Sequence, residues 1–214
     1  MIQVEKSNVP QFFVDFVEHD NPKSWDDIHK SNCYPNVYAY SRRYILEVEQ
    51  GGVSAYTERC LYNSGNLHID HFRKKGLNWP VNQTFVWENL FVDERSNNYG
   101  ACYKDANTSD ISDYNKMIDL AAEDPDDFFT YLANGEMIPK VGLLAENREK
   151  AVFTRDRFNL NFNALVEQRR NVLLDIDFFL QGGMTAEDIL EVSEGMGFPS
   201  VVRYALRELY GLMA

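Results

Sequence analysis

Four polar residues in two short segments have the types and the spacing that phosphodiester hydrolysis requires. Asp70 and His71 are adjacent in the segment HIDHF, and Asn89 and Asn98 follow in the segment WENLFVDERSNN. A carboxylate and an amide oxygen can hold a hard divalent cation, and an imidazole with its usual pKa of about 6.5 can take a proton from water at neutral pH. Together these groups could activate a water and stabilise charge on phosphate oxygens.

The candidate general base is His71. On an extended strand, His68 and Asp70 would share one face while His71 would point to the other. Asp70 and His71 can therefore serve one site only if the strand twists or ends there, and the loop that begins at Arg73 permits this. An isolated Asp-His pair is also compatible with ordinary surface hydrogen bonding, so the interpretation depends on the surrounding residues.

Asn89 is the second candidate catalytic residue. It is predicted on a strand, TFVWENLFV, where it would share a face with Phe85, Trp87 and Phe91. A buried amide needs hydrogen-bond partners, and the backbone of the histidine loop would be a suitable one. In that role Asn89 would hold the imidazole in place. The alternative is an Asn that forms a turn or lies on an edge strand.

Asn98 falls where a short helix is expected to begin, and its carbonyl oxygen could join Asp70 on a metal ion, although it could equally be an N-cap. One carboxylate and one amide, with water and phosphate in the remaining positions, favour a single Mg²⁺ or Mn²⁺ ion. Lys104 and Asp105 could support the phosphate and the ligands of the metal, but exposed Lys-Asp pairs are common.

A basic run, FRKKG, follows the histidine and supplies Arg73, Lys74 and Lys75 as candidate phosphate-binding residues, together with Lys104. The alternative is a solvated loop. The net charge of -12 opposes a chain that binds nucleic acid by itself, because phosphate affinity comes largely from Lys and Arg. If the chain cuts nucleic acid, a partner is expected to hold the substrate.

The elements around these residues are predicted from periodicity. With 214 residues and 44% hydrophobic content, the chain can bury a sizeable core, so we expect one domain or one domain with a small appendage. Residues 53–108 read as two strands separated by a loop and followed by a short helix, a ββα unit. Before it, VPQFFVDFVEH has a helical apolar stripe, and YAYSRRYILEVEQ predicts a longer helix that ends at Gly51-Gly52.

After the ββα unit, Asn134-Gly135 between two β-compatible runs favours a hairpin, whereas residues 124–127 could instead cap a helix with proline in its first turn. Residues 160–181 predict a long amphipathic helix that Gly182-Gly183 would stop. Thr185 with Asp188 forms a capping box for the next helix.

A third C-terminal helix would open at Pro199, with Val202, Leu206 and Leu209 facing inward. The predicted fold is α+β and mostly helical, with the ββα core inside a helical domain and a helical hairpin at the C-terminus. Residues 1–183 would form the main domain, and residues 184–214 an appendage.

The sequence contains no apolar run long enough to span a membrane and no signal-peptide pattern at its N-terminus, so a soluble, cytoplasmic chain is expected. Its three cysteines, Cys33, Cys60 and Cys102, are widely spaced, and their odd number argues against a disulfide framework.

Residues 45–173 resemble a known family through several weak motifs in a fixed order. These are EQGGVSAYTERCLYNSGNLHIDHFRKK, FVWENLFVDERSNNYGACYKD, a hairpin and LNFNALVEQRRNVL. The chain resembles the PtuB family of HNH endonucleases, the effectors of Septu and retron-associated anti-phage defence systems. The resemblance implies a ββα-metal nuclease in which Asp70 is a metal ligand and His71 the general base, with Asn89 and Asn98 at the other two motif positions.

The sequence departs from the family pattern in two places. Many related HNH proteins hold a structural zinc with two CxxC pairs, but the corresponding residues here are Ser54, Thr57, Glu94 and Asn97. None is a thiolate, so we expect no structural zinc, with hydrogen bonds and packing in its place. The lysine expected three residues after the closing Asn is Ala101, which leaves Lys104 as a possible substitute.

The resemblance also implies partners and substrates. The partner would be the ATPase PtuA, joined in retron systems by a reverse transcriptase and its multicopy DNA, and the substrate would be DNA or tRNA. Residues 184–214 would then be a docking element or, alternatively, a structural cap on the core. The competing function is an interaction subunit that keeps an HNH fold but has lost catalysis.

Overall fold

The computed structural model describes residues 1–212, so Met213 and Ala214 of the predicted C-terminal appendage lie outside the described residues. The fold is α+β and mostly helical, as predicted. The helices are α1 Gln11–Asp20, α2 Val37–Tyr44, α3 Gly100–Asn107, α4 Ala145–Arg157, α5 Asn163–Gln181, α6 Ala186–Ser193 and α7 Pro199–Tyr204. The strands are β1 Leu67–His71, β2 Leu90–Glu94, β3 Phe129–Tyr131 and β4 Met137–Pro139.

Strands β1 and β2 form an antiparallel pair between two hydrophobic cores. Asp70 pairs with Phe91, and His71 pairs with Leu90. Because successive side chains alternate between the two faces, Phe91 packs into the core built with the C-terminal helices, whereas Leu90 and Val92 pack into the core built with α1 and α2. Polar residues on this strand pair are therefore held between two packed layers.

The order strand, loop, strand, helix predicted for residues 53–108 is present as β1, β2 and α3. The start of the second strand is a correction. The sequence predicts a strand through residues 84–92, but Trp87–Asn89 form a short 3-10 turn and β2 begins at Leu90. The side chain of Asn89 satisfies backbone groups of the loop, so Asn89 and Phe91 do not lie on a common strand face.

The predicted hairpin at Asn134-Gly135 is confirmed, with β3 and β4 antiparallel on either side. The alternative prediction, a helix capped near Asp124 with proline in its first turn, is present as well in a shorter form. Asp124 caps a short 3-10 turn, Pro125–Asp127, just before β3. Gly135 has φ +89°, and a Cβ there would lie 2.2 Å from the carbonyl oxygen of Val166 on α5. The hairpin thus requires glycine at its turn in order to pack on α5.

The remaining helix predictions hold with one exception. Helix α2 continues as a π-helical turn to Glu49, α5 matches the long amphipathic helix, and the Thr185–Asp188 capping box opens α6. The exception is Leu209, which is 51% exposed rather than inward. The helix after Tyr204 widens into a π-helical turn, which changes the residue spacing on which the prediction relied.

The C-terminal helices share the main core with the strand pair. Ile189, Val201, Val202 and Leu206 are buried in the same cluster as Phe72. None of the helices in residues 1–212 is both long and apolar enough to cross a membrane.

Candidate functional site

A cleft of about 560 Å³ opens along β1, between the 3-10 turn Trp25–His29 and helix α3. We call it the site cleft. It is lined by Trp25, Asp26, His29, Tyr38, His68, Ile69, Asp70, His71, Lys74, Lys75, Arg95, Cys102 and Asp105. The cleft thus combines acids, imidazoles, cations and aromatic rings around the Asp-His pair.

Asp70 is only 4% exposed, and one of its oxygens is fully engaged. Oδ2 accepts hydrogen bonds from the Tyr56 hydroxyl at 2.6 Å and from Lys104 Nζ at 2.8 Å. Within residues 1–212, Oδ1 accepts no hydrogen bond, so it is the oxygen left for a ligand. Burial is the largest single effect and opposes ionisation of Asp70, but the charge and hydrogen bond of Lys104 and the hydrogen bond of Tyr56 together outweigh it and lower the pKa of Asp70.

Lys104 is completely buried, which is unusual for lysine. Its ammonium donates to Asp70 and to the carbonyl oxygens of His71 and Phe72 at 2.8 and 3.0 Å, so all three N–H groups are used. A further contact joins Nζ to Asp105 Oδ1 at 3.0 Å. Burial acts to lower the pKa of Lys104, but the charges of Asp70 and Asp105 outweigh burial and raise it. Lys104 is therefore a cation that ties α3 to the end of β1.

Asp105 lines the site cleft next to this pair. Burial, reinforced by the charge of Asp70, raises the pKa of Asp105 to about 6. A carboxyl group that titrates near neutral pH beside another carboxylate gains from a cation bound between the two. Asp105 is thus the acidic residue of α3 that could share a cation with Asp70.

His71 is held in one tautomer. It is 3% exposed, and its Nε2 lies 2.9 Å from the carbonyl oxygen of Thr84. Because a carbonyl only accepts, Nε2 carries the hydrogen and Nδ1 keeps its lone pair. Burial, assisted by the charge of Lys75, lowers the pKa of His71 to about 4. The imidazole is therefore neutral at pH 7 and able to accept a proton at Nδ1.

Asn89 clamps the loop that orients His71. Its Oδ1 accepts from the Arg73 amide at 2.6 Å, and its Nδ2 donates to the carbonyl oxygens of Arg73 and Gln83 at 3.1 and 3.0 Å. Residue 73 leaves β1 two residues after His71, and residue 83 precedes the Thr84 carbonyl that His71 contacts. The amide thus fixes both ends of the loop around the imidazole.

Asp70 and His71 reach the same cleft although they are neighbours on a strand. His68 and Asp70 face α3, where His68 Nε2 lies 4.0 Å from Cys102 Sγ. His71 points to the opposite side, where its ring packs edge-on against Trp25 with centroids 4.4 Å apart. Because β1 ends at His71, the site cleft wraps around the strand end and both side chains line it.

The structure does not bring Asn98 to these residues. Asn98 is exposed in the loop before α3, its backbone carbonyl oxygen accepts from Asn159 Nδ2, and it does not line the site cleft. The Asn98 side chain does not act as the N-cap of α3 either, since Tyr99 holds that position. Instead, the buried side chain of Asp93 accepts a hydrogen bond from Ala101 in the first turn of α3 at 2.8 Å.

The four candidate phosphate-binding cations differ in what they contact. Arg73 pairs with Asp119 at 2.7 Å, and Lys104 is buried. Lys74 lines the site cleft but donates to the carbonyl oxygen of Asp105 at 2.6 Å. Lys75 also lines the cleft and, among residues 1–212, makes no ion pair, with its Nζ 5.3 Å from the centre of the Trp25 ring. Lys75 is the candidate that a phosphate could reach most directly.

Three of the four residues that the resemblance aligns with zinc ligands, Ser54, Thr57 and Glu94, make hydrogen bonds or ion pairs. Ser54 Oγ accepts from the Tyr56 and Thr57 amides, and Glu94 pairs with Arg59. Within residues 1–212, no group of three or more His, Cys, Asp or Glu side chains is arranged to hold a metal ion.

Several residues of the site cleft carry no local signal in the sequence. Trp25 and Tyr38 come from elements that precede β1 by about 30 to 45 residues. Tyr56, which is outside the cleft lining, contacts Asp70 through tertiary packing alone. Arg95 follows β2 directly, and only the antiparallel pairing of β1 with β2 places it near His68. The signals for Lys104 were its pairing with Asp105 and its place near Ala101, where the resemblance implies a lysine.

Asp93 allows a test of how the core tolerates charge at the N-terminus of α3. Burial raises its pKa to about 7, above the unfolded value of 3.8, so the stability associated with its protonated form is lost as pH rises through about 7. Asp93→Asn is neutral at every pH and keeps an acceptor for Ala101. From pH 5 to pH 8, its stability relative to wild type should therefore increase by roughly 2 kcal/mol.

The measurement is urea unfolding followed by circular dichroism at both pH values. Asp175→Asn, at an exposed position on α5, serves as the matched control, and its difference from wild type should be the same at pH 5 and pH 8. A constant difference for Asp93→Asn as well would contradict the raised pKa.

Comparisons with known proteins add no support to the resemblance to HNH endonucleases, which depends only on the motifs in the sequence. No protein-family model matches this chain, and the search of curated proteins gives no significant match.

Proposed function

We propose that this chain is an HNH-type endonuclease that hydrolyses phosphodiester bonds of DNA or tRNA with one divalent ion. The observation that carries the proposal is the environment of His71. A neutral imidazole whose Nδ1 makes no hydrogen bond within residues 1–212, oriented by a carbonyl in a loop that Asn89 clamps, lies at the end of the strand that carries Asp70. Such a constellation matches the requirements of a general base in a hydrolytic site.

His71 is suited to take a proton from an attacking water. The contact between Nε2 and the Thr84 carbonyl fixes the ring and stabilises the imidazolium that forms once Nδ1 is protonated. Lys75 disfavours that imidazolium in the free protein. A phosphate bound near Lys75 would offset this effect, so substrate binding itself would make His71 a stronger base.

The carboxylates of the site cleft suit Mg²⁺ or Mn²⁺. Asp70 Oδ1 has no hydrogen-bond partner within residues 1–212, and Asp105 lines the same cleft, so these two acids would hold the ion. When bound, the ion would supply positive charge to the phosphate oxygens and a water of lowered pKa. The buried Lys104 ammonium pairs with both acids, so it neutralises part of their charge and fixes their positions beside the cleft.

The net charge of -12 fits a subunit that relies on a partner to hold its substrate. The partner that fits the family resemblance is the ATPase PtuA, with a reverse transcriptase and its multicopy DNA in retron systems. In this arrangement the chain is the toxic effector of an anti-phage complex.

Two observations favour the competing function, an interaction subunit without catalysis. The Lys104 ammonium occupies Asp70 Oδ2, and Asn98 stands outside the cleft. Both features reduce the number of ligands available for a metal ion. Cleavage measured with the purified chain, alone and with its ATPase partner, separates the two functions.

The test compares cleavage of plasmid DNA and tRNA at increasing Mg²⁺ and Mn²⁺ concentrations. Asp105→Asn should raise the ion concentration needed for half-maximal cleavage about tenfold or more, since it removes a charged ligand. Asn98→Ala is the matched control from the neighbouring loop and should change it less than about twofold.

Circular dichroism should show both variants folded. The reverse pattern, with Asn98→Ala impaired and Asp105→Asn normal, would assign the second ligand to Asn98 instead. Absence of cleavage by wild type with either ion, in the presence of the partner, would favour the interaction subunit.

A further inference from the structure

The depth of the candidate catalytic pair limits the substrates that can reach it. Asp70 and His71 are 4% and 3% exposed, at the floor of the site cleft rather than on a convex surface. A paired strand carries its phosphodiester on the outside of a wide, stiff rod, so its backbone would have to leave the rod to reach groups that are this deeply buried. An unpaired nucleotide is small enough to enter the cleft of about 560 Å³, because ligand pockets of this size take molecules of a few hundred daltons.

The wall of the cleft opposite α3 is aromatic. Trp25 packs against His71, Tyr38 lies 6.4 Å from Trp25, and His29 lies 4.5 Å from Tyr38, all as distances between ring centres. Trp25 and Tyr38 are partly exposed and His29 is exposed, so the rings are not fully covered by other protein groups. Aromatic faces that stack on bases are how proteins bind single strands without reading sequence.

Cations flank this aromatic wall in a chain that is otherwise acidic. Lys75 lies over Trp25, and Arg95 is exposed at the end of β2. Within residues 1–212, neither forms an ion pair with a carboxylate. Phosphate-neutralising cations beside stacking platforms are the usual combination in single-strand sites.

We propose that the site cleft binds an unpaired nucleotide, with the base against Trp25 and Tyr38 and a flanking phosphate at Lys75 and Arg95. The substrate is then a single-stranded segment, a loop or an extruded nucleotide of DNA or RNA, and continuous duplex is excluded. This inference rests on the proposed nuclease function for its substrate, but binding can be measured without cleavage.

The experiment measures binding of fluorescein-labelled oligonucleotides to the purified chain by anisotropy in EDTA. It is done at low salt and with protein up to about millimolar concentration, because an acidic chain without its partner should bind weakly. The probes are dT12, U12 and a 12-base-pair DNA duplex. Single strands should bind at least about tenfold more tightly than the duplex, and the comparison of dT12 with U12 separates DNA from RNA. Equal affinity for single strand and duplex, or no binding of either single strand, overturns the proposal.

Two variants test the two parts of the site. Trp25→Ala should weaken binding of the single strand about tenfold or more, and Lys75→Gln should weaken it severalfold and lower the salt dependence by about one phosphate contact. The matched controls are Tyr40→Ala and Lys30→Gln, since Tyr40 and Lys30 are exposed outside the site cleft and should leave binding unchanged.

Because Trp25 packs on His71, circular dichroism must show that Trp25→Ala is folded, and Lys75→Gln provides an independent test if it is not. Wild-type affinity in a folded Trp25→Ala or in Lys75→Gln contradicts the proposal. Tight single-strand binding without any cleavage contradicts the nuclease function only. Cleavage of continuous duplex with equal binding of both forms contradicts the unpaired-nucleotide site only.

Discussion

Replacing His71 with alanine is expected to slow phosphodiester cleavage at least about a hundredfold while leaving the chain folded. The side chain offers Nδ1 as the proton acceptor, and its only described hydrogen bond is to the Thr84 carbonyl. Removing the imidazole therefore takes away the proposed base without leaving a buried charge unpaired. The cleavage rate should fall, and the affinity for single strands in EDTA should change little.

The pH dependence of the wild type distinguishes this role from a structural one. Burial lowers the pKa of His71 to about 4, so the base is neutral above about pH 5 and is lost only as pH falls through about 4. Cleavage limited by His71 in the free protein should hold from pH 8 down to about pH 6. A rate that instead falls steadily between pH 8 and pH 6 would show that His71 titrates close to its ordinary pKa.

The same shift predicts a stability effect of known sign. The folded pKa of His71 lies below the unfolded value of about 6.5, so the folded state binds fewer protons there and stability is lost as pH falls from about 6.5 towards 4. His71→Ala lacks this contribution and should lose less stability than wild type over that range. His19→Ala, at an exposed position on α1, is the matched control and should match wild type in both cleavage and acid sensitivity.

What could be predicted from the sequence was local. The hydrogen bonds of Asn89 to the histidine loop were expected because a buried amide needs partners. The roles of Asp70, His71 and Asn89 stay predictions made from residue type and spacing. The helices were predictable where caps and stops coincide, as at Thr185 and Gly182. These features depend on chemistry within a few residues of the chain.

What could not be predicted depends on tertiary contacts. Whether Asn98 or Asp105 lies near Asp70, as a second metal ligand must, depends on where α3 begins. Helix α3 begins at Gly100, and the buried Asp93 carboxylate accepts a hydrogen bond from its first turn. No local sequence pattern predicts this hydrogen bond between Ala101 and Asp93. Likewise, the strand prediction through Trp87 failed because the side chain packs into the core with Phe13, which overrides the alternating pattern.

Replacing Lys104 with methionine is expected to cost about 3–5 kcal/mol of stability at pH 7. Methionine keeps most of the volume but leaves the buried Asp70 carboxylate with Tyr56 alone, and Asp105 loses its contact at 3.0 Å. Two carbonyl oxygens, of His71 and Phe72, also lose their donor. The measurement is urea unfolding at pH 7 with circular dichroism.

The matched control is Lys150→Met, because Lys150 pairs with Glu123 at the surface and such exposed pairs contribute about 1 kcal/mol or less. A second variant isolates the cause of the loss. Asp70→Asn removes the charge that Lys104 neutralises, so the double variant Lys104→Met with Asp70→Asn should recover part of the stability lost in Lys104→Met. No recovery would mean that the lost carbonyl contacts, rather than the unpaired carboxylate, account for the effect.

The stability loss in Lys104→Met should depend on pH, and the direction follows from the pKa of Asp70. In the wild type Lys104 holds the pKa of Asp70 below its ordinary value, and without the ammonium only burial and the Tyr56 hydrogen bond act strongly on it. The penalty of Lys104→Met should therefore shrink as pH falls and Asp70 takes a proton. A divalent ion could neutralise Asp70 and Asp105 in place of the ammonium, so Mg²⁺ or Mn²⁺ should stabilise Lys104→Met more than wild type. An equal response of the two chains would show that these acids do not share a cation site.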